Sequence, residues 1–155
     1  MIPWPDPPLR AGDLLLRPWH ADDAPALAAA WADPEIQRWT GVPAARNLAA
    51  AQRWIAGDAE RRRRDLSLDL VVDRGGEVAG EVGLSLLDHA AGTVEIGWWT
   101  GPEHRGLGVA STAAALLARW TEATLGLTPV ARCDPANPAS LAVARRANVV
   151  TPVRP

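Results

Sequence analysis

The chain has 155 residues, with 16 basic and 18 acidic side chains, a net charge of -2 and a pI near 5.9. That length fits one ordinary domain, and the charge balance leaves no electrostatic footprint for nucleic acid. One cysteine makes neither an internal disulfide nor a cysteine-based zinc site, and the histidines at 20, 89 and 104 lack ligand spacing, so no metal is expected.

The alphabet is narrow. There are 30 alanines and eight tryptophans, but no Phe, Tyr or Lys, so every cation is arginine. Much helix and a core of modest volume are expected, and tyrosine is removed as a catalytic acid. GC-biased codon usage and deliberate reduction of the alphabet account for this equally well. No apolar run approaches the roughly 20 residues of a membrane span. The proline-rich start lacks the basic and apolar regions of a signal peptide. A cytoplasmic protein with no membrane partner is expected.

Residues 1–12 read as a loose arm ahead of a domain over 13–155. Asp13–Trp19 is a short apolar strand with Pro18 near its end. Asp22 or Asp23 then caps a helix through Trp31, which Pro34 stops. A second helix is predicted from Ala44 to Arg64, with Leu48, Ala51, Ile55 and Ala59 as its apolar stripe. Arg61–Arg64 close it, complementing the helix dipole; a solvated helix end and an acidic-partner patch both fit that run.

Three strands follow: Leu66–Asp73, Glu77–Asp88 and Thr93–Thr100, joined by short turns at Arg74-Gly75-Gly76 and His89–Gly92. Gly80 and Gly83 are candidate bulge positions. A glycine-rich connection over Gly101–Gly108 opens a helix reaching Leu125, with Gly126 as its C-terminal cap. Val130–Asp134 is the fifth strand. A turn through Asn137-Pro138 leads into a last helix, Ala139–Ala147.

The strand–glycine loop–helix unit carries the chemistry. A helix N-terminus holds unpaired N–H groups and the positive end of the dipole, so a phosphate binds there without a basic side chain. Gly106 and Gly108 let the backbone approach such an anion. Two nucleotide-binding alternatives fail. Gly-x-Gly-x-x-Gly is absent, because position 111 is Ser111, and a P-loop is excluded because there is no lysine.

What remains is Arg105-x-x-Gly108-x-Ala110, which resembles the acyl-CoA pyrophosphate loop of the GNAT acetyltransferase superfamily. Glu95-Ile96-Gly97-Trp98-Trp99, Pro102-Glu103-His104-Arg105-Gly106 and Asn137-Pro138-Ala139-Ser140 resemble its ribosomal-protein N-terminal acetyltransferase branch. Leu16-Arg17-Pro18-Trp19 and Asp33-Pro34-Glu35-Ile36 are similar to it as well, so the likeness runs from about residue 13 to 148. Two departures stand out. Ala147-Asn148-Val149-Val150 replaces the family's Gly-Phe, and too few residues follow for the usual terminal hairpin beside the acceptor site. The tyrosine that protonates the departing thiolate in many members is absent.

The resemblance implies roles for named residues. Arg105, Gly106, Leu107, Gly108, Val109 and Ala110 would cradle the pyrophosphate of acetyl-CoA or another acyl-CoA, mostly through backbone N–H groups. An ordinary strand-to-helix turn is the alternative. Trp98, Trp99 and Thr100 would pair through the backbone with the pantetheine arm, their side chains serving packing. Glu95 would take the proton of the attacking amine, directly or through water; its alternative is a surface ion pair with an arginine. Asn137 would bond the pantetheine arm and Ser140 would donate to the thiolate in place of tyrosine; both otherwise read as helix-capping residues. Cys133 reads as a small buried residue rather than a nucleophile, and His104 as a loop-surface side chain, with a second base as its alternative.

The expected fold is α/β: a mixed, mostly antiparallel sheet of five strands with about four flanking helices, its fourth and fifth strands parallel and splayed. The expected activity is acyl transfer from acyl-CoA to a primary amine in a ternary complex. A protein N-terminus or a small-molecule amine is the acceptor. The alternatives are a non-catalytic CoA-binding or partner module, and a truncated or redesigned acetyltransferase. An unpaired fifth strand is expected either to take up the tail Val149–Val153 or to mediate a homodimer.

Overall fold

The computed structural model describes residues 1–152. Six strands form one sheet in chain order: β1 (Arg10–Ala11), β2 (Leu14–Pro18), β3 (Ser67–Arg74), β4 (Glu77–Asp88), β5 (Thr93–Thr100) and β6 (Thr128–Val130). The first five are antiparallel to their neighbours, and β6 runs parallel to β5. The expected count of five lacked the two-residue β1.

Residues 1–12 are not a loose arm. Ile2 is buried, its N–H donates to the Arg62 carbonyl at 3.0 Å, and the Arg62 guanidinium lies 3.8 Å from the Trp4 ring centroid. Apolar burial and a cation over an indole face anchor this segment to the core and to the helix that carries Arg62.

Six α-helices lie among the described residues: α1 (Ala24–Trp31), α2 (Pro34–Trp39), α3 (Leu48–Ala56), α4 (Asp58–Arg63), α5 (Val109–Trp120) and α6 (Pro138–Arg146). The expected stop at Pro34 is instead a start. Proline is suited to the first helical position, and the Asp33 carboxylate caps α2 by accepting from the Ile36 N–H at 3.0 Å. The expected helix over 44–64 begins at Asn47, whose side chain accepts from Ala50 N at 2.9 Å, and breaks at Gly57. Ala51 and Ile55 are buried as the stripe required, but Leu48 and Ala59 face solvent. A 3-10 turn over Ala21–Asp23 precedes α1, and Asp23 bonds Arg17 and the His20 N–H rather than capping that helix.

Strand alternation divides the core into two layers. Leu68, Leu70, Val82, Leu84 and Ile96 pack against Ala113 and Leu117 of α5 and Ala144 of α6. Val71 faces the opposite way and packs with Trp19, Leu27, Trp31, Ala51 and Ile55 beneath α1 and α3. Gly80 is required by a close approach: a Cβ there would stand 2.3 Å from the Trp99 carbonyl oxygen. It lies beside a register shift at Val72/Asp73, whereas Gly83 stays in regular register.

The fifth expected strand lies earlier than Val130–Asp134. Thr128–Val130 pairs with Thr93–Glu95, and there the pairing ends. Ala131–Asp134 diverges, leaving Ile96–Thr100 with no β6 partner. The splay expected between these strands is therefore present. Val150 bridges Val130 in parallel and accepts from Ala131 N at 2.8 Å, so part of the tail lies along β6. Val153 falls outside the described residues.

Candidate active site

Two cavities open where β5 and β6 separate. The first, about 540 Å³, lies between the β5–α5 loop and the start of α6. The second, about 360 Å³, lies on the α1–α3 side of β4 and β5. They meet at Trp39, Thr40, Trp98, Trp99 and Ser140.

The loop brings two left-handed glycines to an uncapped helix N-terminus. Gly106 and Gly108 both have φ of 75°, the left-handed region that glycine enters without strain. A Cβ at Gly106 would meet nothing within 4 Å, so the loop is open on that side. No side chain caps the N-terminus of the twelve-residue α5. The first-turn N–H groups, including those of Val109 and Ala110, therefore retain their donor capacity toward the first cavity. Leu107 is exposed at the tip.

Arg105 points elsewhere. Its Nη2 donates to Asp33 Oδ2 at 2.6 Å and its Nε to the Thr100 carbonyl at 3.1 Å. The Arg105 hydrogen bond holds the Asp33 carboxyl below the usual carboxylate range. The guanidinium thus fastens the loop to the cap of α2. His104 lines the first cavity; its Nε2 is 3.6 Å from Glu77 Oε2, and its buried Nδ1 has no partner among the described residues.

At the start of α6, Asn137 Oδ1 accepts from Ser140 N at 3.1 Å, with Pro138 at the first helical position. The carboxamide oxygen is a helix cap, and the amide NH₂ remains available as a donor. Ser140 borders both cavities. Cys133 also lines the second cavity, and burial pushes its thiol above its ordinary value. A raised pKa keeps the thiol protonated at neutral pH, unlike an activated nucleophile.

Glu95 lines the second cavity, with its carboxylate accepting from Arg132 Nε at 3.0 Å. The ion pair considered for this residue is therefore present, and the group still faces the cavity. The Trp98 side chain packs on the core beside α5, while Trp99 turns to the opposite face. Thr100 contributes its carbonyl to Arg105.

Two acidic residues absent from the sequence-derived candidates line the second cavity. Glu81 accepts from Trp19 Nε1 at 2.9 Å and from Trp99 Nε1 at 3.3 Å. Burial, reinforced by the Asp69 charge, pushes Glu81 up to about 8. Asp69 accepts from Ser67 Oγ at 2.6 Å and Arg61 Nε at 3.3 Å; burial still raises it. The sequence held one signal for Glu81, a carboxylate in mid-strand between Gly80 and Gly83. Helix α2, which carries Trp39 to the junction, was missed with it. No group of three or more His, Cys, Asp or Glu among the described residues is placed to hold a metal ion.

Residues 13–150 match the family model described as "Acetyltransferase (GNAT) domain". An uncharacterized N-acetyltransferase, p20, of Bacillus licheniformis is 29% identical over 136 residues, covering 83% of this chain and 74% of that protein. A microcin self-immunity acetyltransferase, MccE, solved with acetyl-CoA and AMP, superposes with a TM-score of 0.78 at 23% identity, covering 88% of this chain and 78% of that one. RimL, an alpha-N-protein acetyltransferase of a ribosomal protein solved with coenzyme A, has a TM-score of 0.78 at 21% identity, covering 90% and 82%. With the family model spanning nearly all of the sheet and both cavities, the chain belongs to the GNAT family of acetyltransferases.

Proposed function

We propose that this protein is a cytoplasmic N-acetyltransferase that transfers an acetyl group from acetyl-CoA to a primary amine held in the second cavity. The observation carrying this reading is the junction of the two cavities in the β5–β6 splay, directly above an uncapped helix N-terminus. Coenzyme complexes of MccE and RimL support the choice of donor.

The residues present fit an acyl-CoA. Backbone N–H groups from Gly106 to Ala110 would hold the pyrophosphate, and the positive end of α5 favours its charge. The edge of β5 from Trp98 to Thr100, which β6 leaves without a partner, would align the pantetheine arm, with the Asn137 amide as a further donor. When bound, acetyl-CoA supplies a thioester carbonyl as the acyl donor and leaves as the free thiol. A backbone N–H near Trp99 aimed at that carbonyl would stabilise developing negative charge. Glu95 faces the acceptor cavity and takes the amine proton, directly or through a water. Ser140, at the junction, donates a hydrogen bond to the sulfur where this chain has no tyrosine.

Calorimetric titration with acetyl-CoA, followed by thiol release across a panel of amines and N-terminal peptides, tests this reading. Saturable binding with amine-dependent thiol release is expected. Absence of binding at millimolar acetyl-CoA, or binding with no release above the buffer rate for any amine, overturns it.

A further inference from the structure

The second cavity has a composition that acyl transfer alone does not require. Its floor is set by the register of β4 and β5. Glu81 lies opposite Trp99, Gly83 opposite Gly97, and Ser85 opposite Glu95, so all six share one face. The glycine pair leaves a strip of bare backbone between two carboxylates. A Cβ at Gly97 would meet nothing within 4 Å. Indoles form the walls: Trp31 and Trp54 meet edge-on at 6.3 Å, and Trp39 and Trp99 close the side toward the junction.

The carboxylates here differ in one respect. Asp69 is paired with Arg61, and Glu95 with Arg132. Glu81 is held only by two indole N–H groups, and no ion pair reaches it among the described residues. A half-buried carboxyl group that lines the cavity, is held by indole N–H groups and lacks a counter-ion suits a ligand that brings the cation. A monocationic acceptor becomes neutral at nitrogen before attack and leaves that position unmatched. The cavity, at about 360 Å³, also falls at the small end of ligand sites.

Resting on the acetyltransferase reading, we infer that the acceptor is a small amine bearing a second cationic group. That second cation sits against Glu81 between the indoles, and the reacting amine reaches the junction beside Trp98 and Ser140. Such a cation would offset the burial that raises the Glu81 carboxyl, so binding near neutral pH would release a proton from the protein.

The test is direct binding, which needs no turnover. Protein saturated with coenzyme A is titrated with putrescine, butylamine and γ-aminobutyrate, matched in chain length and differing in the far group. Putrescine is expected to bind about tenfold or more tighter than butylamine, with γ-aminobutyrate weakest. Its heat should vary with buffer ionisation enthalpy because a proton is released. In Glu81→Gln the putrescine preference should shrink to about threefold or less, read at unchanged coenzyme A affinity to show that the variant is folded. Glu81→Asp, which keeps the charge, should restore part of it. Butylamine binding as well as putrescine, an intact preference in Glu81→Gln, or no putrescine binding overturns the inference. Thiol release from butylamine or a peptide equal to that from putrescine would sink it while leaving the acetyltransferase reading intact. Loss of acetyl-CoA binding would instead sink that reading.

Discussion

Arg105 and Asp33, 72 positions apart in the chain, form a 2.6 Å ion pair that ties the glycine loop ahead of α5 to the N-terminus of α2. Asp33 Oδ2 both caps α2 and receives the guanidinium. Arg105 is therefore a positioning residue: it sets the loop against the helix that brings Trp39 and Thr40 to the cavity junction.

This makes a specific prediction for acetyl-CoA affinity. Arg105→Ala and Asp33→Ala should each weaken binding by about threefold to tenfold, and the double variant should be little worse than either single one. A calorimetric double-mutant cycle checks it. If Arg105→Ala costs far more than Asp33→Ala and the effects add, the guanidinium acts on the phosphates and not on Asp33.

The Glu81 carboxyl links stability to pH. Its folded pKa of about 8 lies above the ordinary 4.5. Between those values the folded chain holds a proton that the unfolded chain has released. Stability therefore falls as pH rises through this window, by at most about 1.4 kcal/mol per pH unit. Urea denaturation at about pH 5 and about pH 8 should show this loss. Glu81→Gln should flatten the slope and be relatively more stable at the higher pH. Identical slopes in the two proteins would contradict the assignment.

Two glycines on β4 and β5 should behave oppositely. A Cβ at Gly80 collides with the Trp99 carbonyl at 2.3 Å, backbone against backbone, whereas a Cβ at Gly97 enters open space. Gly80→Ala should destabilise the fold by about 1–3 kcal/mol. Gly97→Ala should leave the thermal midpoint nearly unchanged while raising KM for the acceptor, because the added methyl occupies the cavity floor. Comparable thermal losses in both variants, or unaltered acceptor KM in Gly97→Ala, would refute this contrast.

The parts of the site that were legible in sequence are those written in local backbone chemistry. Gly106 and Gly108 announce a left-handed turn before a helix, and Asn137-Pro138 announces a capped start. The parts that were not legible depend on which sheet face each helix covers. Alternation puts Glu81 on the face opposite Leu84, but only the packing of α1 and α3 turns that face into an indole-lined cavity. Pro34 was ambiguous for a related reason. Proline ends one helix or begins another, and the choice rests on the Asp33 cap and the long-range Arg105 contact. The arm was misjudged because proline content reports local stiffness, while Ile2 and Trp4 find their partners on Arg62, some sixty residues away.

Cys133 and Ser140 separate direct transfer from a route through an acylated cysteine. Burial raises the thiol, a setting that disfavours the thiolate at neutral pH. Cys133→Ala should keep kcat within about threefold, since the sulfur only fills space beside β6. On the role proposed for its hydroxyl at the departing sulfur, Ser140→Ala should lower kcat by about tenfold with a smaller change in acetyl-CoA affinity. Initial-rate patterns should intersect, as a ternary complex requires. Parallel lines, an acetylated Cys133 in intact-mass spectra without acceptor, or abolished turnover in Cys133→Ala would reverse the assignment and make the cysteine the nucleophile.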